Sequence, residues 1–369
     1  MVLTGKYTTY LEGRYNRKML LEGIFAATTT PFYPDERIYF RKIEANVARY
    51  SRSLLAGMIV LGSTGEAVML DDSESHEVMR AAIEAAAPEK VMVAGVGRES
   101  VKATVALAEA AAEVKYDAVL VRPPSYYLGN MTSPAILNYF RSIADHSPLP
   151  VILYNIPKCV PLQIPIEVIG ELANHPNIIG IKDSSGSVER IQGAVAATKS
   201  AFRRTVPVTE VFEAVTARMM SAKPEAAGSF VSAGELAGGA AVATVPPAVP
   251  LKTRSKEVGF QVLCGAGGAV LESLKSGATG AILAFGACAP QACQEIYLAW
   301  KDHDLALATE KQQRISAANK RIVGDLGIAG IKYACDFNGY FGGRTRSPIL
   351  GLTAEEKAEV EGLLVEIRN

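Results

Sequence analysis

Short runs of consecutive apolar and β-branched residues alternate along the chain with longer stretches in which apolar positions recur every three to four residues. The runs are GIFAATTTPF (23–32), GMIVLGSTGE (57–66), KVMVAGVG (90–97), DAVLVRPP (117–124), PVILYNIP (150–157), IIGIKDSS (178–185), FQVLCGAG (260–267) and GAILAFGA (280–287). Between them lie helical patterns such as ESHEVMRAAIEAAA and SVKATVALAEAAAEV. Continuously apolar strands are buried on both faces, which is the habit of parallel sheets covered by helices. Eight strand-then-helix units predict an α/β fold closed as a (β/α)8 barrel, with a doubly wound open sheet as the alternative.

Two segments depart from this rhythm. After the eighth run, helical periodicity continues from PQACQEIYLAW to AEEKAEVEGLLVEIRN, predicting an eighth helix and a helical C-terminal extension over 304–369. The other departure is an insertion at about 200–258, between the sixth helix and the seventh strand, where a connection of a few residues is usual. Its first part, VTEVFEAVTARMMSA, has a helical pattern; its second, AAGSFVSAGELAGGAAVATVPPAVPLKTRS, is rich in Gly, Ala and Pro and reads as mobile. The expected organisation is an N-terminal extension over 1–21, a barrel over 22–303 interrupted by the insertion, and the helical extension. An insertion that leaves a helix and enters a strand emerges at the amino-terminal face, opposite the face where such barrels carry out chemistry. That predicts a structural, interfacial or regulatory role for it, against the alternative of a lid.

Composition narrows the functional classes. The 369 residues include 38 Lys plus Arg and 38 Asp plus Glu, so no excess of basic charge points to a polyanionic partner such as nucleic acid. No apolar run has the length of a membrane span, and the first 20 residues are mixed and polar, unlike a secretory signal. Five scattered cysteines without a CxxC pair suit reduced thiols in the cytoplasm. Four dispersed histidines with no HExxH argue against a catalytic metal.

Candidate chemistry comes from the carboxyl ends of the strands. They present Thr28 to Thr30, Ser63, Thr64, Glu66, Arg98, Tyr126, Tyr154, Lys182 and Gly265. Lys182 follows the apolar run NIIGI, so it is either a snorkelling rim residue or an amine kept neutral for attack on a carbonyl. A desolvated amine is easier to hold neutral, and a tyrosine and hydroxyls nearby can move protons. Such an amine forms an iminium with a ketone, an electron sink that lets a carbon–carbon bond one carbon away break or form. The bland readings are a core aromatic for Tyr154, helix caps for Ser63 and Thr64, and a structural carboxylate accepting backbone N–H groups for Glu66. The glycine patterns GVGRES and GAGGAV do not complete a dinucleotide-binding fingerprint.

Three motifs in order, GSTGEAVML (62–70), YNIP (154–157) and GIKDSSG (180–186), resemble the signatures of the pyruvate-dependent class I aldolases. This is the family of dihydrodipicolinate synthase, N-acetylneuraminate lyase and 4-hydroxy-2-oxoglutarate aldolase. The resemblance covers about 22–199 and 259 to the C-terminus. It implies Lys182 as the Schiff-base lysine, Tyr154 as the proton-relay tyrosine, and Ser63 and Thr64 as ligands of the pyruvate carboxylate. Thr64 would also relay protons to Tyr126, which in the family reaches in from a neighbouring subunit; Tyr127 is the rival for that role. Gly265 and Ile282 would contribute backbone contacts to the substrate. It implies no cofactor, a small 2-oxo acid as substrate, and a homodimer or homotetramer.

The acceptor is read from departures and likenesses. Synthases carry an Arg two residues after the Pro of the tyrosine motif, whereas YNIPKCV has Cys159 there, and a thiol cannot grip a carboxylate as a guanidinium does. PPSYYLGNMT, FQVLCGAGG and LGIAGIKYACDFNGYFGGRTRSPI look most like the 4-hydroxy-2-oxoglutarate aldolases. That implies pyruvate plus glyoxylate, with Arg98, Arg122 and Lys158 as cations at strand ends that could meet the glyoxylate carboxylate. The alternatives are a dihydrodipicolinate synthase, another 2-keto-3-deoxy sugar acid aldolase, or a barrel that only binds small molecules.

Overall fold

A computed structural model of the chain describes residues 19–209, 213–221 and 252–367. Eight parallel strands close into a barrel: β1 Gly23–Ala27, β2 Gly57–Val60, β3 Val91–Gly95, β4 Ala118–Val121, β5 Val151–Asn155, β6 Ile178–Asp183, β9 Gln261–Cys264 and β10 Gly280–Leu283, with β10 pairing back to β1. Helices α1 Phe40–Ser51, α2 Asp72–Ala85, α3 Val101–Glu113, α4 Ser133–His146, α5 Ile166–Leu172, α6 Val188–Ala197, α8 Val270–Lys275 and α9 Pro290–Lys301 each follow one strand. The predicted (β/α)8 barrel is therefore the observed fold, and the open sheet is excluded by the closing pair.

The strands are buried throughout because both faces have a layer to meet. Inside, Phe25, Ile59, Val93, Leu120, Ile152, Leu263 and Ile282 fill the barrel. Outside, Ile24, Met58, Met92, Val119 and Leu153 pack against the helices. Three of the barrel's helix starts are capped by side chains: Asp71 and Glu74 form a reciprocal capping box on α2, and Ser100 and Ser187 cap α3 and α6.

One irregularity decides what the mouth of the barrel contains. Between β5 and β6 the register moves from Val151 opposite Ile178 to Ile152 opposite Gly180, leaving one extra residue in β6. Ile178 belongs to the outer layer and Ile179 to the interior; beyond the bulge Ile181 is outer again. The alternation then brings Lys182 to the same inner phase as its partner Tyr154. Gly180 suits this site because a side chain there would strike the Gln261 carbonyl at 2.3 Å.

The described ends of the insertion differ from the helical expectation over 208–222. β7 Arg204–Thr209 and β8 Thr253–Val258 form an antiparallel pair, and helix α7 spans only Ala217–Ser221. Val206 and Val208 alternate with more exposed neighbours and bury against Leu20 and Val258, so period two overrides helical propensity. Arg204 donates to the Met19 and Gly259 carbonyls, Arg218 to those of Ala86 and Lys90, and Lys256 pairs with Glu22. All of these partners lie before or between barrel strands, at the amino-terminal end. The Gly, Ala and Pro-rich stretch read as mobile lies almost wholly outside the described residues.

The C-terminal part is helical: α10 Leu305–Asn319 runs into a π-helical turn, Lys320–Asp325, followed by α11 Gly327–Phe337 and α12 Ala354–Leu364. It reaches the opposite end of the barrel. Gln312 donates to the Gly267 carbonyl after β9, and Lys332 and Arg346 grasp the loop after β2.

Candidate active site

Lys182 is the penultimate residue of β6 and Tyr154 the penultimate residue of β5, directly across the ladder. Their exposures are 4% and 6%, and the Lys182 Nζ donates to the Tyr154 hydroxyl at 3.1 Å while lying 4.2 Å from the ring centroid. Among the described residues Lys182 forms no ion pair within 4.0 Å, although buried charges elsewhere are paired. The amine is thus desolvated, held against a phenol and not matched by a carboxylate.

The hydroxyl loop follows β2. Ser63, Thr64 and Gly65 form a single 3-10 turn, with Thr64 buried and Ser63 half-buried. Glu66 then takes a left-handed conformation at φ 55°, costly for a residue with a side chain. Its carboxylate, 1% exposed, accepts the Arg346 N–H at 2.9 Å and the Lys332 ammonium. Glu66 is thereby occupied structurally, as a carboxylate taking a backbone N–H. Lys332 also donates to the Arg344 carbonyl, and burial pulls its ammonium below the usual lysine range despite the opposing pull of Glu66. Thr30 donates to the Gly65 carbonyl at 2.7 Å, fixing the turn from β1's side.

Gly265 sits just past β9, its N–H on the Asp183 carbonyl at 2.7 Å. A Cβ there would fall 2.0 Å from the Ser184 hydroxyl, so only glycine fits. Ile282 is buried in the barrel interior on β10. Tyr126 and Tyr127 are not brought to this group: they are 80% and 66% exposed and stack edge-on against each other at 5.0 Å. Their loop is held by Glu99, which accepts the Ser125 and Tyr126 N–H groups at 2.9 and 3.0 Å. Partial burial alone would raise the Glu99 carboxyl, but these N–H bonds, the Ser125 hydroxyl and Arg122 carry it down to about 2.

The three candidate cations have other partners in the single chain. Arg98 reaches Asp72 and Ser75, Arg122 pairs with Glu99 at 3.0 Å, and Lys158 donates to the Gly324 carbonyl in the π-helical turn. Cys159 is an exposed free thiol. Among the described residues no group of three or more His, Cys, Asp or Glu could hold a metal.

Sequence reasoning missed the polar residues behind the lysine. Asp183, 2% exposed, accepts from Asn155 at 3.0 Å, Arg190 at 3.2 Å, and the Ser185 N–H and hydroxyl. The available signal was a polar residue directly after each motif residue, Asn after Tyr154 and Asp after Lys182. Lys332 gave no signal of its own, since its partner lies 266 positions away.

A (β/α)8 barrel with a buried lysine amine and a phenol at its carboxyl mouth is the class of protein to which Schiff-base aldolases belong. The chain matches the Dihydrodipicolinate synthetase family over residues 20–210 and 242–367, and it belongs to that family. It is 36% identical over 188 residues to a protein of Emericella nidulans named "Probable 4-hydroxy-2-oxoglutarate aldolase, mitochondrial", an alignment covering 50% of this chain and 61% of that one. It is 28% identical to the L-threo-3-deoxy-hexylosonate aldolase of Aspergillus niger over 92% of this chain and 93% of that one. The fold superposes on a prophage protein of the dihydrodipicolinic acid synthase family from E. coli K12, crystallised with pyruvate. That match has a TM-score of 0.74 and 24% identity, covering 94% of this chain and 99% of that one.

Proposed function

We propose that the protein is a pyruvate-dependent class I aldolase that works through an imine on Lys182 and cleaves or forms 4-hydroxy-2-oxoglutarate. The observation carrying this reading is the buried Lys182 amine, 3.1 Å from the Tyr154 hydroxyl and without an ion pair among the described residues. In the cleavage direction the amine attacks C2 of the 2-oxo acid, and the C2 oxygen leaves as water with protons carried by Tyr154. The iminium then takes up the electron pair of the C3–C4 bond as the C4 hydroxyl gives up its proton, releasing glyoxylate. The remaining enamine is protonated at C3 and hydrolysed to pyruvate, freeing Lys182. Synthesis reverses these steps. No cofactor enters, because the iminium itself is the electron sink.

In this reading Ser63 and Thr64 bind the pyruvate carboxylate, with backbone contacts from Gly265 and Ile282. Tyr126 completes the relay from a second copy of the chain in a homodimer or homotetramer. Its exposure on a loop ordered by Glu99 suits a residue that serves a neighbour. The relative named as a 4-hydroxy-2-oxoglutarate aldolase and the Cys159 in place of an arginine favour glyoxylate over aspartate semialdehyde. The five free cysteines suit a reducing compartment such as the cytoplasm, although that relative is named as mitochondrial. No described helix is long and apolar enough to cross a membrane.

A second reading, a 3-deoxy sugar acid aldolase, is favoured by the near full-length match to the hexylosonate aldolase. It differs only in the aldehyde, a three-carbon hydroxyaldehyde in place of glyoxylate. The test is borohydride reduction in the presence of pyruvate with intact-mass and peptide readout, then condensation with glyoxylate, glyceraldehyde and aspartate semialdehyde. An adduct on Lys182 and fastest turnover with glyoxylate are expected. No adduct from folded protein would sink the imine mechanism; fastest turnover with glyceraldehyde would move the assignment to the sugar acids.

A further inference from the structure

The Asn155–Asp183 pair, with Arg190 and Ser185, lies one residue beyond Tyr154 and Lys182 and on the opposite face of the sheet. We propose that this network is a register lock that positions the Lys182 amine against Tyr154, which makes Asp183 and Asn155 positioning residues of the reaction. The inference rests on the imine reading of Lys182 and deepens it.

Four observations support the lock. The ladder between β5 and β6 ends at Asn155 opposite Asp183, with a main-chain bond from the Ser184 N–H to the Asn155 carbonyl at 2.9 Å just beyond, so the side chains of this last pair carry much of what fixes Tyr154 and Lys182 from that end. β6 carries an extra residue relative to β5, and relaxing that bulge by one position would turn Lys182 outward and Asp183 into the barrel. The Asn155 amide reaches the Asp183 carboxylate at 3.0 Å only in the register that has Lys182 inside. Finally, both partners are anchored from the helical layer. Asn155 Oδ1 accepts the Ile164 N–H at 3.0 Å, and Arg190 joins Asp183 to the Ile164 carbonyl at 3.2 and 2.9 Å. Asn155 and Asp183 are 0% and 2% exposed, so water does not substitute when one bond is lost.

A network that merely stabilised the fold would change how many chains are competent. A positioning network changes how fast each competent chain reacts, since small misplacements of reacting groups carry large rate losses. The test therefore measures both the rate constant and the final stoichiometry of borohydride trapping with pyruvate. It compares wild type, Asn155→Asp, Asp183→Asn and the double exchange Asn155→Asp/Asp183→Asn. Each single change sets like groups against each other, two carboxylates or two amides. The double exchange restores a donor facing an acceptor.

The expected result is that the single variants trap to one adduct per chain at a rate lower by about 10- to 100-fold. The half-saturating pyruvate concentration should change far less, and the double exchange should recover most of the rate. Ser185→Ala, which removes one arm without burying a new charge, should show a smaller rate loss at full stoichiometry, and it carries the test where a single exchange does not fold. Unchanged rates in folded single variants, or rate losses that simply multiply in the double exchange, overturn the lock. A wild-type protein that forms no adduct overturns the imine reading itself, a result distinct from either.

Discussion

The two ends of the barrel both bury cations and treat them differently. At the amino-terminal floor, Arg204 spreads its guanidinium over the Gly259 carbonyl, the Met19 carbonyl and the Gln261 amide oxygen at 2.9, 3.3 and 3.0 Å. Arg218 meets two carbonyls and lies 3.7 Å from Asp117, and the Lys90 ammonium is shared between the Ser53 and Leu55 carbonyls. The two arginines leave only an Nε each without a partner. At the carboxyl mouth Lys332 is matched by Glu66, whereas Lys182 donates to a single phenol among the described residues. A cation surrounded by acceptors is fixed in place, although burial still pulls the Lys90 ammonium and the Arg204 guanidinium below their ordinary values. A cation given one phenol in a dry site has no such set of acceptors to hold it, which leaves its nitrogen open on the side facing the barrel mouth. The floor uses its buried cations to hold segments together, whereas the amine of Lys182 is left with most of its bonding capacity unused.

The comparison is broken most severely at the mouth. Lys182→Ala should lower turnover by roughly 10⁴-fold or more while the thermal unfolding transition stays at or above that of wild type. A variant that retains activity removes Lys182 from the mechanism. Lys332→Ala, at the same end but in a matched pair, should do the reverse. It strands Glu66 as a buried charge and should cost about 3–5 kcal/mol of stability in urea titrations, with turnover per folded molecule reduced far less. At the floor, Arg204→Met should cost about 1–3 kcal/mol through its lost hydrogen bonds and leave the half-saturating pyruvate concentration unchanged. A change in pyruvate affinity there would show that the two ends communicate.

The smallest effect is in acid. Glu99 has its carboxyl held at about 2 in the folded chain against an ordinary 4.5, so its contribution is present above pH 4.5 and fades as the pH falls toward 2. Fluorescence of Tyr126 and Tyr127 should report loosening of that loop across this window, and Glu99→Gln should remove the transition. An unchanged transition in that variant would assign it to other groups.

The strands and the lysine were legible in the sequence for one reason: each is a local pattern. Ile-rich runs state their burial on both faces, and Lys182 is conspicuous as a charge inside such a run. β7 and β8 were not legible, because Arg204–Thr209 contains a proline and Thr253–Val258 is mostly polar, and both are strands only by pairing with each other. The bulge in β6 was invisible for a similar reason, since register is a property of two strands. The role of Glu66 as a structural acceptor could be guessed, but Lys332 and Arg346 could not be named as its partners, because distant pairing is set by the closed fold. Tyr126 and Tyr127 cannot be ranked from one chain, where both face solvent.

The grip of the C-terminal part on Glu66 also has a consequence for the order in which the protein becomes active. Lys332 lies 266 positions after Glu66 and Arg346 lies 280 after it. At about 5–20 residues per second, a ribosome needs roughly 15–50 s to add the partners of that loop once Glu66 has been made. Once Lys182 has been added, for the remainder of that interval, the lysine and tyrosine of the mouth exist on one chain while the turn bearing Thr64 still lacks its buried counter-charge. A chain interrupted before Lys332 thus carries the buried amine while the carboxylate of Glu66, behind the hydroxyl turn, has neither of its distant partners.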